Sequence, residues 1–189
     1  MAKKSKKAKS KSTSDNWTVL DEETMKIRLN NVRLSFPHLF QPQTVGDNPD
    51  GTPKFSGVFL LDDETHADTI EFLQEKAEEL ASSVGMKKLS ITKSFLKPGS
   101  EKDDLEGFEN THYVSASNLR RPLAIDQDKA AVTESDGTLY AGCYVNAVIQ
   151  LWAQDNKWGK RVNASLEGVQ YQGEGESLGG GTVASEDDF

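Results

Sequence analysis

The sequence predicts a small β-barrel or sandwich with one helix packed on it. Apolar and polar residues alternate at strand period in several short runs, and one segment alone carries the 3.6-residue period of an amphipathic helix. No internal repeat is present, and strands do not alternate with helices as a parallel sheet would require. With 189 residues, 35% of them hydrophobic, the chain can core one domain with extensions at both ends.

Residues 1–15 are expected to be a disordered arm, because alternating lysines and serines have no apolar surface to bury. The folded domain then spans 16–172, with regular structure beginning near Lys26. Ile27, Leu29, Val32, Leu34 and Phe36 alternate apart from a one-residue slip at Asn30-Asn31, which predicts a bulged strand ended by Pro37. A turn-rich stretch over 42–53 precedes a second, more buried strand over 55–61. Ile70, Leu73, Ala77, Leu80 and Ala81 then recur at helical spacing after the capping-box-like Thr65-x-x-Asp68, predicting a helix over about 66–82.

The second half reads as strands. Over 111–118, Tyr113, Ser115 and Ser117 share one face, and His112, Val114 and Ala116 the other. Asp136-Gly137 predicts a hairpin turn between Ala131-Val132 and a long strand over 139–154. In that strand Cys143, Val145, Ala147, Ile149 and Leu151 form the apolar parity, whereas Tyr144, Asn146, Val148, Gln150 and Trp152 form the other. Cys143, the single cysteine, is read as a small core residue. A turn at Asp155-Asn156 returns the chain through Lys160 to Tyr171.

The end of the chain, 173–189, reads as a flexible glycine-rich acidic tail closing on Glu186, Asp187, Asp188 and Phe189. Such a tail is either a solubilising appendage or bait for a basic groove or cation-rimmed apolar pocket. The net charge of −8 hides a polarity: six lysines and no acid lie in the first eleven residues, and no lysine or arginine follows Arg161.

No apolar run approaches the roughly 20 residues that span a bilayer, and no secretion signal follows the first lysines, so a soluble cytosolic protein without a membrane partner is expected. Three histidines and one cysteine give no metal-ligand spacing, and neither a hydrolase elbow nor a glycine-rich phosphate or dinucleotide loop is present. The carboxylates of 47–51 and 101–104 lack calcium-loop spacing and read as solvated loop charge. No catalytic residue, cofactor or metal is expected, and the chain is not read as an enzyme.

What remains is a constellation suited to nucleic acid. Arg120 and Arg121 close the strand bearing Tyr113. Lys160 and Arg161 follow Trp158 in a basic turn, and Tyr144 and Trp152 occupy the non-core parity of the long strand. Aromatic faces stack on unpaired bases without demanding a sequence, while the cations hold phosphates. Tyr144 and Trp152 are either exposed platforms or residues packed under the helix, and the basic side chains either phosphate contacts or solvated loop charge.

Val32-Arg-Leu-Ser-Phe-Pro-His-Leu-Phe40 with Pro42, the Arg121-Pro122 pair, Tyr140-Ala-Gly-Cys-Tyr-Val-Asn-Ala147 and Leu166-Glu-Gly-Val-Gln170 resemble, in that order, the motifs of a tailed-bacteriophage family of single-stranded-DNA-binding proteins. The resemblance covers about 26–172. It implies an OB-fold-like five-stranded barrel, a role in phage DNA replication, recombination and repair in the cytoplasm of the infected host, and no catalytic activity. It further implies that the acidic tail ending in Phe189 competes with DNA and recruits phage or host DNA polymerase and other replication proteins. Relatives carry a compact Asp-Gly-Asp turn where this chain has Lys97-Pro-Gly-Ser-Glu101, and the lysine arm lies outside the shared region. Competing readings are a single-stranded-RNA-binding barrel and an adaptor that binds no nucleic acid; self-association is left open.

Overall fold

The computed structural model describes residues 13–44, 51–102 and 104–178, so most of the lysine arm and the acidic terminus with Glu186, Asp187, Asp188 and Phe189 lie outside the described residues. The elements run β1 Trp17–Asp21, β2 Lys26–Gln43, β3 Lys54–Asp62, α1 Ala67–Ser83, β4 Leu96–Pro98, β5 Thr111–Asn118, β6 Leu123–Ile125, β7 Tyr144–Asn156 and β8 Gly159–Gly173.

Five of these strands close on themselves. Antiparallel pairing links β5 to β3, β3 to β2, β2 to β7 and β7 to β8, and a parallel contact at Ser117 and Ser165 joins β8 back to β5. The result is an OB-fold-like five-stranded barrel, extended by β1 beside β2, β4 beside β5 and β6 beside β8. One parity of each strand fills it: Ile27, Leu29, Phe59, Leu61, Val114, Val145, Ile149 and Leu166 are all fully buried. Cys143 lies among them, and burial pushes its thiol up from the ordinary value. The helix α1 packs Phe72, Leu73, Ala77 and Ala81 into the same core against β3, β7 and β8.

The 18-residue β2 serves two walls because it bends twice. The expected slip at Asn30-Asn31 is a bulge: pairing with β7 skips between Leu29 and Val32, Asn31 has φ 51°, and its N–H donates to Asn146 Oδ1 at 2.9 Å. A second irregularity falls between Ser35 and His38, so β2 does not end at Pro37. A bulge is one of the few places in a sheet where a residue without an N–H is tolerated. It leaves Phe36 at φ 44°, a left-handed conformation that costs a bulky residue about 1–3 kcal/mol.

Order begins well before Lys26. Trp17 is buried and stacks on Phe72 of α1, ring centroids 3.8 Å apart and 7° from parallel. Just ahead of it, Ser14 Oγ donates to Asp68 Oδ2 at 2.6 Å and Asn16 Nδ2 to Asp68 Oδ1 at 2.9 Å. Burial pushes the Asp68 carboxyl up, and these bonds more than offset it, leaving it below the usual range. Asp68 is therefore spoken for, and the expected Thr65–Asp68 box does not form. Asp62 does the local work instead, accepting from the Thr65 and Glu64 N–H groups at 2.8 and 3.0 Å, bonds that hold its own carboxyl low.

Two other turns differ from expectation. Asp136-Gly137 ends a 3-10 turn, Glu134–Asp136, closed by a capping box with Thr133 and by Gly137 at φ 63°, rather than joining hairpin strands. The long strand accordingly starts at Tyr144. Its hairpin to β8 turns on Lys157-Trp158, because Asn156 pairs with Gly159 and Asn156 Oδ1 accepts the Trp158 N–H at 2.9 Å.

The chain past Gln172 is docked as far as Leu178. The Leu178 N–H donates to the Ala141 carbonyl at 2.9 Å, Arg33 Nη2 to the Glu176 carbonyl at 2.6 Å, and Tyr140 Oη bonds Gly175. Gly142, at φ 112°, and Gly175 let the two backbones touch: a β-carbon on Gly142 would strike the Glu176 carbonyl, and one on Gly175 the Gly142 carbonyl. Leu178 then enters a second apolar cluster with Leu60, Phe108 and Tyr113 on the outside of the barrel. The tail expected from 173 thus starts no earlier than 179.

Trp17→Ala should lower unfolding free energy by about 3–5 kcal/mol in a denaturant titration, the cost of emptying a buried aromatic site. A loss under 1 kcal/mol would mean that β1 is an appendage rather than part of the core.

Candidate nucleic-acid interface

The barrel's outward parity collects small polar residues where three strands meet. On β3 and β5, Ser56 is opposite Ser117 and Val58 opposite Ser115. Across the parallel seam Ser117 meets Ser165 of β8, and Trp152 of β7 donates its indole N–H to Ser165 Oγ at 3.0 Å. On the other flank β2 sets His38 opposite Ser56. Short side chains thus floor a surface bordered by Trp152, 42% exposed, and by Phe36, 47% exposed.

Cations gather where β5 and β8 diverge. There the segment leading into β4 inserts between them, Ser94 bridging to Val162 and, in β4, Lys97 lying opposite Tyr113. Partial burial lowers the Lys97 ammonium from its ordinary 10.5, and the neighbouring charges of Arg161 and Lys102 lower it further, against the opposing pull of Glu101. Positive groups placed to repel one another fit a surface awaiting an anion. Arg161 is exposed, with Nη2 donating to the Thr92 carbonyl at 3.2 Å.

Past the other end of β5, Arg120 and Arg121 are exposed. Arg121 Nη2 donates to the Phe40 carbonyl at 3.0 Å and its guanidinium lies 5.9 Å from the Phe55 ring centre. From Tyr113 to Arg120 the chain covers roughly 23 Å at strand rise, so the floor lies between two cationic ends.

The remaining sequence-predicted residues divide. Trp158 is 79% exposed at the tip of the β7–β8 hairpin, with Lys157 Nζ 5.0 Å from its ring centre. Tyr144 is exposed, as an open platform requires, but it lies at the far end of β7 beside Gly175 and away from Trp152. Lys160 points away from Arg161 and reaches Gly85, just past the C-terminus of α1, where it complements the helix dipole. Tyr113 is a correction. It is 4% exposed, edge-on to Phe108 at 5.3 Å, because Phe108 and Leu178 roof that part of the outer face, and no ring face is left for a base. Sequence reasoning passed over Phe36, Ser56, Asn163 and Ser165, which pairing of distant strands brings onto one outer face, Asn163 opposite Trp152.

Comparison with known proteins finds relatives in sequence and in fold. A family model described as Enterobacter phage Enc34, ssDNA-binding protein, matches residues 25–189. A protein designated p50, of Acyrthosiphon pisum secondary endosymbiont phage 1, is 38% identical over 176 residues, covering 87% of this chain and 92% of its own. The single-stranded DNA-binding protein from bacteriophage Enc34, solved in complex with ssDNA, superposes with a TM-score of 0.78 at 29% identity, covering 88% of this chain and 96% of its own. A single-stranded DNA-binding protein of bacteriophage T7 shares the fold at a TM-score of 0.50 and 12% identity, covering 84% and 88%.

The Lys97 ammonium should titrate below 10.5 when followed by NMR, and Arg161→Gln should raise it part of the way, since burial is the larger cause. The folded state holds this proton less firmly than the unfolded chain, so stability should rise with pH between the folded value and 10.5. An unmoved midpoint in Arg161→Gln would remove Arg161 from the cluster.

Proposed function

The chain belongs to the family of the Enterobacter phage Enc34 ssDNA-binding protein, and we propose that it holds unpaired DNA, without reading its sequence, on the outer face of β3, β5 and β8. The observation that carries the reading is the serine floor between two cationic ends, flanked by exposed rings. Small side chains let a single strand lie close to the sheet. Lys97 and Arg161 at one end and Arg120 and Arg121 at the other would neutralise phosphates, while Trp152, with Trp158 beyond it, would stack bases. A net-acidic chain has little general attraction for polyanions, so a local cluster must supply the electrostatics.

In this reading the protein coats and protects single strands during phage replication and recombination in the host cytoplasm. The terminus 186–189 competes for the same face and captures a phage or host polymerase or another replication protein through Phe189. Leu178, the last described residue, packs in the outer cluster with Phe108 and Tyr113, a position that supports that competition. Eleven further residues reach roughly 36–40 Å when extended, enough to cross the floor. RNA binding, or docking of a protein alone, is the competing reading, and copies of the chain associating along a strand would be compatible with either nucleic acid.

A salt titration with oligothymidylate, a matched RNA and a duplex tests the proposal. Binding to the DNA strand should fall with log[salt] at a slope of about −3, four cations at about −0.7 each, and quench tryptophan fluorescence. Truncation after Leu178 removes Glu186, Asp187 and Asp188 and should raise affinity, most at low salt. No binding to the DNA strand, or tighter binding to RNA, would defeat the proposal; unchanged affinity on truncation would remove tail competition alone.

A further inference from the structure

We propose that Phe36 is a base-stacking residue of this face, held out to solvent by backbone strain that the fold itself does not need. The inference rests on the single-strand-binding reading above. Phe36 and Pro37 form a bulge in β2 between Ser35, which pairs with Val58, and His38, which pairs with Ser56. The bulge therefore borders the floor directly, across it from Trp152. Phe36 adopts φ 44°, a conformation natural to glycine and unfavourable for an aromatic residue.

What the strain achieves locally is exposure. The side chain is 47% accessible although the sequence around it is apolar, and residues on either side, Leu34, Ser35 and Leu39, are buried. In regular alternation Phe36 would share the inward parity of Val32 and Leu34. The bulge turns it outward instead, where its ring is tilted 51° against that of Phe108, centroids 6.3 Å apart. Phe108 is itself fixed in the outer cluster with Leu60, Tyr113 and Leu178. The ring is thus propped from one side and open on another, as a platform for a planar ligand must be. A strained, exposed aromatic beside small polar side chains fits a nucleobase, which every sequence presents and which gains from stacking in water.

The test is Phe36→Gly in the full chain, with Phe36→Leu and Phe36→Trp beside it. Glycine releases the strain and removes the ring, so Phe36→Gly should unfold at no lower denaturant concentration than the parent yet bind oligothymidylate roughly five- to a hundredfold more weakly. The salt slope should be unchanged, because no charge is lost. Phe36→Leu should also weaken binding, whereas Phe36→Trp should keep affinity and add a fluorescence signal quenched by the oligomer. Parent-like affinity of Phe36→Gly or Phe36→Leu would overturn the assignment, as would loss of stability in Phe36→Gly with binding retained by the folded fraction. If the parent itself fails to bind the oligomer, the single-strand reading falls and this assignment with it.

Discussion

A short parallel contact between β5 and β8 is what the rest of the molecule depends on. Only Ser117 and Ser165 pair across it, yet it turns an open antiparallel sheet into a closed wall around one core. The inward neighbours on the two strands, Ala116 and Ala164, are small and buried, so the walls can approach. Beyond the contact the strands diverge, and the segment 94–98 fills the gap, Ser94 bridging to Val162 and β4 making three pairs to β5. Closure and wedge together bring the serines of three strands onto one floor and set Lys97 next to Arg161. A sheet left open there would separate every proposed contact on β3 and β5 from those on β7 and β8.

The inward half of this arrangement was legible in the sequence. Alternation placed Ile27, Leu29, Val145, Ala147 and Ile149 inside, and the Asn30-Asn31 slip marked a true bulge. These are local signals, since strand period and a broken period are visible within a few residues. The family motifs added the barrel topology that alternation alone could not distinguish from a sandwich. Trp17 was missed because a lone aromatic ahead of a charged stretch carries no period, and its partner Phe72 lies on a helix 55 positions later. Leu178 was missed for a similar reason: glycines around it read as a leash, whereas two of them are places where backbones touch.

The site was harder to read because outwardness is a local property and adjacency is not. Trp152, Arg161 and Arg121 could be picked as exposed chemistry, but the sequence gives no sign that Ser117 meets Ser165 or that Lys160 and Arg161 part company across the strand. Tyr113 shares its parity with Ser115 and Ser117, and only the roof formed by Phe108 and Leu178 takes it out of reach. Phe36 looked like the last core residue of its strand, and a bulge reversed its direction. The same outer cluster therefore buries one expected platform, Tyr113, and props the ring proposed in its place, Phe36.

The central claim, that a single strand lies across the seam, is tested most directly by mapping amide shifts of the isotopically labelled full chain on adding oligothymidylate. The largest changes are expected at Ser56, Ser115, Ser117, Asn163, Ser165 and Lys97, with α1 and β1 quiet. Changes concentrated on α1 or around Tyr144 and Gly175, with the serines unmoved, would contradict it.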